Sequence, residues 1–261
     1  MKKLIYQVYV GKRSKLYDHC TESVKRYAER VGADYVLQRS PILMIKPDPF
    51  TSNRSREAVE RLGYLPIFEK ENAFTYLKKY DQVVIIDSDI WIRDTAPSIF
   101  DVVDPSVDFA GVLERDMPIT PPYLRKIANY SRMQYGSSPI NKLFDWKHPS
   151  GAGADFYNMG MMFLNKSFDK YLKGETPQQF LRRPEFKSFI DGIGNWKWST
   201  DQTLLNVFVK ESRMKVQNLD HVWNGLFTAN TKIKECNFVH FFLKDKLPHR
   251  GEDVELLMRL V

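Results

Sequence analysis

The sequence QVVIIDSDIWI, residues 82–92, is the clearest indication of architecture in this chain. Its unbroken apolar run Val83–Ile86 is typical of a parallel strand that is buried on both faces of a sheet. Two carboxylates follow this run, and in an extended chain the side chains of Asp87 and Asp89 would point to the same side. Open α/β sheets bind their ligands at the carboxyl ends of such strands. The sequence therefore predicts a central strand with an acidic, ligand-binding end.

The segments on either side of this strand predict the rest of the sheet. Leu4–Val10 is predicted to form a buried strand, Tyr17–Arg30 an amphipathic helix and Asp34–Leu37 a second strand. Further helices are predicted at Glu69–Lys79, Tyr123–Gln134 and Thr200–Val209, and further strands at Asp108–Leu113 and Phe156–Leu164. This alternation predicts an α/β protein with a mostly parallel central sheet and helices on both faces. We expect one domain over residues 1–261, because no repeat or linker interrupts the pattern.

Composition excludes several classes of protein. The net charge is +7, from 39 Lys and Arg against 32 Asp and Glu, which favours anionic ligands without selecting among them. The basic residues are spread along the chain and no nucleic-acid motif occurs, so no nucleic-acid partner is expected. Cys20 and Cys236 are the only cysteines. They exclude a disulfide scaffold and a cysteine-built zinc site, and they fit a reducing compartment.

The sequence also gives expectations about location. No apolar run approaches the roughly 20 residues that a membrane-spanning helix needs. The N-terminal residues lack the features of a secretory signal, so we expect a cytoplasmic protein. Peripheral association with an acidic membrane surface and the oligomeric state both stay open.

The Asp87-Ser88-Asp89 pattern has two interpretations when it is taken alone. Asp-x-Asp is common by chance, but here an apolar strand precedes it and Ile90-Trp91-Ile92 follows it. Paired carboxylates at a strand end suit a hard divalent cation that keeps room for substrate phosphates. The same two residues could instead cap a turn or a helix N-terminus. The residues alone leave both interpretations open.

Four segments together resemble a known family. They are LKKYDQVVIIDSDIWI (77–92), DFYNMGMMFLNKS (155–167), STDQTLLN (199–206) and VHFFLKDK (239–246). In character and order they are similar to sequence blocks of GT-A glycosyltransferases. The likeness is to the retaining, metal-dependent group that contains glycogenin and bacterial galactosyltransferases (glycosyltransferase family 8). The resemblance implies a GT-A fold, a nucleotide-sugar donor, and Mn²⁺ or Mg²⁺.

The resemblance also implies roles for individual residues. The metal ligands would be Asp87, Asp89 and His240. The donor nucleotide and its diphosphate would be bound by Val8, Tyr9, Lys70, Asp87, Ser88 and Lys246, with Lys244 as a rival for the phosphate role. Asn158, Asp201 and Gln202 would lie near the anomeric carbon as the catalytic residues. Taken alone, His240 in its apolar strand is typical of a core histidine, and Asp201 could simply cap a helix.

Residues 114–153, here called the insertion, differ in composition from the rest of the chain. They interleave Arg and Lys with aromatic residues such as Tyr135 and Trp146. Aromatic faces stack on sugar rings and cations hold anionic groups, so we hypothesise an acceptor-binding lid. The alternative is a solvated basic loop. We expect residues 1–113 to form a nucleotide-binding half and residues 154–261 an acceptor and metal half.

These observations predict a metal-dependent glycosyltransferase. It would move a hexose from a nucleotide-diphospho-sugar, with a UDP-sugar favoured, to a glycan or other hydroxyl acceptor. No acid is clearly placed as a nucleophile, which favours front-side attack and retention. One alternative is a nucleotidyltransferase that makes nucleotide sugars, for which Gly11–Lys15 offers charge but only one glycine. The other is a non-catalytic nucleotide- or anion-binding α/β domain.

Overall fold

The computed structural model describes residues 1–54, 60 and 63–261 of the chain. The strands are β1 Lys3–Val8, β2 Asp34–Gln38, β3 Gln82–Asp87, β4 Ile90–Ile92, β5 Phe109–Leu113, β6 Tyr157–Asn165, β7 Val216–Asn218, β8 Gly225–Leu226 and β9 Phe238–His240. The α-helices are α1 Lys15–Arg30, α2 Pro121–Tyr135, α3 Asp169–Leu172, α4 Pro177–Leu181, α5 Lys187–Asp191, α6 Asp201–Glu211 and α7 Val254–Leu260.

The central sheet has the strand order β2-β1-β3-β6-β5-β7. The pairs β1–β2, β1–β3 and β5–β7 are parallel, and only β6 among these strands runs antiparallel to its neighbours. β3 and β6 occupy the centre, and every residue of β6 is buried, as is every residue of β3 except Asp87. The predicted α/β architecture with a mostly parallel sheet flanked by helices is therefore confirmed.

A second, smaller sheet with the order β4-β9-β8 lies beside the first. The chain reaches it through a turn at Ser88-Asp89, so residues 82–92 do not form one continuous strand. The prediction that Asp87 and Asp89 belong to one extended segment is therefore wrong. The turn lets Ile90 pair with His240, and the backbone N–H of Phe241 donates to the carbonyl of Asp89 at 2.9 Å.

The segment before β3 also differs from its predicted form. Residues Pro66–Lys78 form a 3-10 helix rather than an α-helix. The carboxylate of Glu69, which is fully buried, accepts hydrogen bonds from the backbone N–H groups of Ile42, Leu43 and Met44. These bonds fix this helix against the preceding loop, and they aim its next residue, Lys70, at the end of β3.

None of the helices formed by the described residues combines the length and the apolar character that crossing a membrane would require.

Candidate functional site

Three residues of the types that bind metals converge where the two sheets meet. Asp87 ends β3, Asp89 lies in the turn that follows, and His240 ends β9. The Nε2 atom of His240 lies 3.2 Å from Asp89 Oδ1 and 3.9 Å from Asp87 Oδ2. One ligand atom from each of the three residues lies within 4.8 Å of the others. Two carboxylates and an imidazole are a donor set that fits Mn²⁺ or Mg²⁺, so these residues suit the ion that the resemblance implies.

Lys70 is the cation at the centre of this acidic group. Its Nζ atom lies 2.8 Å from Asp87 Oδ1 and 2.7 Å from Asp201 Oδ2, and it donates to the carbonyl of Met159 at 2.9 Å. Burial opposes its charge, but the carboxylates of Asp201 and Asp87 outweigh burial and raise the pKa of Lys70. One buried ammonium group therefore forms ion pairs with two carboxylates from different parts of the chain.

The pKa values of the two metal-site aspartates are shifted in opposite directions. Loss of water around Asp87 is the largest effect, and it raises the pKa of that carboxyl to about 6 although Lys70 is adjacent. Burial also acts on Asp89, but the nearby imidazole of His240 outweighs it and lowers the pKa of Asp89. In turn, Asp89 overcomes the effect of burial and raises the pKa of His240. In the absence of an ion, His240 is thus the main counter-charge for Asp89.

Two cavities share this site. They have Ile67, Lys70, Asp87 and Asp89 in common. The first, of about 290 Å³, is lined on its other side by Val8, Tyr9, Val10, Tyr17 and Ser88. The second, of about 380 Å³, is lined by residues that include Asn158, Asp201, Gln202 and His240. Apart from Lys244 and Lys246, the site residues inferred from the sequence therefore divide into two groups on either side of the acidic cluster.

The first cavity has an aromatic wall. The rings of Tyr9 and Tyr17 meet edge to face with centroids 5.5 Å apart. The guanidinium of Arg39 lies 4.3 Å from the ring centre of Tyr9. Aromatic edges and faces in a cavity wall can pack against an apolar or aromatic ligand group.

The second cavity contains the three residues predicted to be catalytic. Asp201 begins α6 and pairs with Lys70. Gln202 accepts a hydrogen bond from the backbone N–H of Met159 at 3.2 Å. Asn158, in β6, accepts at Oδ1 from Gly160 N at 3.0 Å. All three line the cavity, next to the acidic cluster.

Glu114 is a cavity residue that the sequence reasoning missed. It follows β5 and is 3% exposed. The hydroxyl of Tyr123 donates to its Oε1 atom, and Asn158 Nδ2 donates to Oε2 at 3.1 Å. Burial raises the pKa of Glu114 above its ordinary value. The sequence held a signal, because FAGVLE repeats the pattern of VVIID, an apolar strand that ends in an acid.

The insertion contributes part of the lining of the second cavity. Its main element is α2, which presents Tyr123, Lys126 and Tyr130 to the cavity. Tyr135 is fully buried and packs on Phe144 with ring centroids 4.4 Å apart, so the expectation that Tyr135 contacts an acceptor is wrong. The aromatic residues of α2 therefore lie in two places, with Tyr123 and Tyr130 at the cavity and Tyr135 in the core.

The two candidate phosphate-binding lysines differ in their surroundings. Lys244 donates to Ser14 Oγ at 3.2 Å and to Glu252 Oε1 at 3.0 Å. Lys246 is exposed and lies outside the residues that line either cavity. It is close enough to Lys126 for its charge to contribute, after burial, to a lowered pKa of Lys126. Lys246 therefore lies near the rim of the second cavity rather than in its wall.

Comparisons with known proteins add information about the fold. No family model matches the chain, and no curated protein matches it. A solved glycosyltransferase involved in the glycosylation of the major capsid of PBCV-1 is 14% identical, with a TM-score of 0.51, and the match covers 99% of this chain and 100% of that one. Mouse xyloside xylosyltransferase 1 is 12% identical with a TM-score of 0.52, covering 95% of this chain and 100% of that one.

A third structure, of the galactosyltransferase LgtC in complex with donor and acceptor sugar analogs, is 12% identical with a TM-score of 0.58. That match covers 98% of this chain and 94% of LgtC. The matches extend over nearly the whole of each chain, while the identities are low enough that the likeness concerns the fold. The chain therefore has the GT-A fold of these glycosyltransferases.

Proposed function

We propose that the protein is a metal-dependent glycosyltransferase that moves a hexose from a nucleotide-diphospho-sugar, a UDP-sugar in the first instance, to a hydroxyl of a glycan or glycoconjugate. The observation that carries this proposal is the Asp87, Asp89 and His240 cluster at the boundary of two cavities. One cavity has aromatic side chains in its wall against which a base could pack, and the other has polar groups for a sugar. A ligand with a base, a diphosphate and a sugar would extend across both.

The chemistry follows from the charges around this boundary. Asp87, Asp89 and His240 would hold Mn²⁺ or Mg²⁺, and such an ion, when bound, neutralises the charge that develops on a diphosphate leaving group. Lys246, at the rim, would supply a further positive charge to the same phosphates. Val8, Tyr9 and Ser88 would contact the nucleoside. Lys70 would hold Asp87 and Asp201 in place through its ion pairs with both carboxylates.

The partners of the remaining acids support retention by front-side attack. A double-displacement mechanism needs a carboxylate that is free to attack the anomeric carbon. Among the described residues of the second cavity, Glu114 has both oxygens bonded by Tyr123 and Asn158, and Asp201 is paired with Lys70. In the front-side reaction the acceptor oxygen bonds to the anomeric carbon as the sugar–phosphate bond breaks on the same face. The hydroxyl proton passes to the departing phosphate oxygen, and Asn158 and Gln202 would orient the sugar.

The position of each group supports the functional division expected from the sequence. Residues 1–113 supply the first cavity and two metal ligands, and the insertion supplies Tyr123 and Lys126. Residues 154–261 supply Asn158, Asp201 and the third metal ligand. We propose that these parts bind the nucleotide, contact the acceptor, and complete the metal and sugar site, respectively.

The test is calorimetric titration of UDP into the protein with Mn²⁺ and then with EDTA. We expect binding that requires Mn²⁺ and is lost in Asp89→Ala, because that substitution removes a metal ligand. The matched control is Asp104→Ala, an exposed aspartate outside both cavities, which should bind as the unmodified protein does. If UDP does not bind, GDP, dTDP and CMP are tested next, and failure of all four contradicts the proposal. Binding is followed by assay of UDP-sugar hydrolysis and by the anomeric configuration of the product.

A further inference from the structure

The imidazole of His240 is held from behind by a buried amide. Its Nε2 atom faces Asp89, while its Nδ1 atom lies 3.1 Å from Asn224 Oδ1. Asn224 has no exposed surface, and it lies just before β8, the edge strand of the small sheet. This contact is on the side of the ring away from the carboxylates.

The orientation of Asn224 is fixed by Asn158. The Nδ2 atom of Asn224 lies 3.3 Å from the carbonyl oxygen of Asn158 and 2.9 Å from its Oδ1 atom. A backbone carbonyl can only accept a hydrogen bond, so the amide nitrogen of Asn224 must face Asn158 and its oxygen must face His240. That oxygen can only accept, so Nδ1 of His240 carries a proton and donates it. Nε2 is then the ring atom that is directed at the carboxylates and at an ion between them.

Gly160 fixes the same ring from one face. A Cβ atom at Gly160 would lie 2.3 Å from Cε1 and 2.5 Å from Nδ1 of His240, closer than any real contact. Any side chain at this position would therefore displace the imidazole. The backbone N–H of Gly160 donates to Asn158 Oδ1, the atom that also receives Asn224 Nδ2. Gly160, Asn158 and Asn224 thus hold His240 as one buried unit.

We propose that Asn224 is a positioning residue for metal binding, which it promotes by accepting the Nδ1 proton of His240 and directing Nε2 at the ion. This inference rests on the proposed function only in requiring that the Asp87, Asp89 and His240 cluster binds a divalent cation. Loss of such an outer hydrogen bond weakens metal binding by about 10- to 100-fold in other metalloproteins, and we expect a loss of this size. Asn224 lines neither cavity, so it would act only through His240.

The test measures Mn²⁺ affinity directly, without nucleotide and without turnover. The electron paramagnetic resonance signal of free Mn²⁺ is followed as the ion is titrated into the unmodified protein and into Asn224→Leu and Asn224→Asp. Leu keeps the approximate volume but cannot accept a hydrogen bond, whereas the Asp carboxylate can still accept the Nδ1 proton. We expect Asn224→Leu to lose about 10- to 100-fold in affinity and Asn224→Asp to lose less, because its carboxylate still accepts the Nδ1 proton although it cannot donate to Asn158.

A matched control is available in the central sheet. Asn165, at the other end of β6, is also buried, and its Nδ2 atom donates to the carbonyls of Asp104 and Val107. Asn165→Leu should lower stability without changing Mn²⁺ affinity. This control separates the general effect of removing a buried amide from the specific effect at His240. If Asn224→Leu does not fold, Asn224→Ser replaces it, because the shorter hydroxyl cannot reach Nδ1.

The outcomes distinguish this inference from the proposed function. Folded Asn224→Leu that binds Mn²⁺ as tightly as the unmodified protein overturns the role of Asn224 and leaves the metal site intact. Equal losses in Asn224→Leu and Asn224→Asp also overturn it, because the accepting oxygen would then be irrelevant. Absence of Mn²⁺ binding in the unmodified protein overturns both this inference and the metal dependence of the proposed function.

Discussion

Asp87 and Asp108 lie at opposite ends of the central sheet and have opposite surroundings. Asp108 comes just before β5 and is buried, and it accepts from Lys170 Nζ at 2.8 Å, Tyr171 OH at 2.7 Å and Lys215 N at 2.9 Å. Burial alone would raise its pKa, but the hydrogen bonds from Lys170 and its other donors outweigh burial and lower the pKa of Asp108. Asp87, with 28% of its side chain exposed, shares one lysine with Asp201 and has Asp89 as a neighbour.

The difference separates an acid used for stability from acids arranged for binding. Asp108 has all the donors it needs, so a further cation would gain little there. At the other end of the sheet, three carboxylates share one lysine and one histidine, and the pKa of Asp87 is raised to about 6. Burying several carboxylates with so few cations lowers the stability of the protein by itself. A bound divalent ion would therefore stabilise this end of the sheet more than the other.

The largest expected effect in this comparison comes from the lysine at the acidic end. Lys70→Met leaves Asp87 and Asp201 without their shared buried cation, which should cost about 3–5 kcal/mol of unfolding free energy. Lys170→Met, at Asp108, should cost much less, because Lys170 is largely exposed and the other two donors remain. Urea unfolding at pH 7 compares the two, and equal losses would contradict the distinction between the two ends.

The next effect concerns the aspartates themselves. Asp108→Asn replaces an acceptor of three hydrogen bonds, and we expect a loss of about 1.5–3 kcal/mol in unfolding free energy with unchanged Mn²⁺-dependent UDP binding. Asp87→Asn should give the reverse, a smaller loss of stability together with loss of Mn²⁺-dependent binding, because it removes a metal ligand. Urea unfolding and calorimetry on both variants provide the measurement. A binding defect in Asp108→Asn would show that the two ends are not independent.

The smallest expected effect concerns Glu71, another acid at the same end of the sheet as Asp87. Glu71 follows Lys70 in the sequence and is fully buried. Its carboxyl oxygens have no hydrogen-bond partner among the described residues, and burial raises the pKa of Glu71 well above its usual value of 4.5. The folded protein therefore holds a proton that the unfolded chain releases above about pH 4.5, so stability is lost as pH rises from there towards the folded pKa. Glu71→Gln should remove this loss.

We expect the difference in unfolding free energy between Glu71→Gln and the unmodified protein to move in favour of Glu71→Gln as the pH rises from 4 to 7. Its pH-dependent part should shrink towards pH 4, where both forms of the unmodified chain carry the proton. Thermal unfolding at several pH values between 4 and 7 measures this dependence. A difference that stays constant across this range would mean that Glu71 is ionised in the folded protein.

The parts of the site that could be predicted from the sequence have local signals. Asp87 and Asp89 follow an apolar strand, and that pattern located the acidic end of β3. His240 has no such signal, because a histidine among apolar residues is equally typical of a core, and only the resemblance indicated a ligand. Lys70 was likewise indicated only by the resemblance, and the 3-10 form of its helix decides which residues face the sheet.

The parts that could not be predicted depend on long-range packing. Asn224 lies in a loop without periodicity, and its importance comes from Asn158 and His240, which only the folded sheets bring to it. Tyr135 was misplaced because a helix with aromatic residues on two faces does not indicate which face meets the core. The antiparallel direction of β6 was also not predicted, since a strand that is buried throughout has the same apolar run in either direction.

The pairing of β4 with β9 has a consequence for protein synthesis. Ile90 and His240 are cross-strand neighbours, although about 150 residues of chain separate Asp89 from His240. A ribosome adds about 5–20 residues per second, so roughly 8–30 s pass between synthesis of the aspartates and synthesis of the histidine. During that interval the growing chain carries both carboxylates without the strand that supplies their third partner. A nascent chain can therefore expose this acidic end for many seconds before it gains a complete binding site.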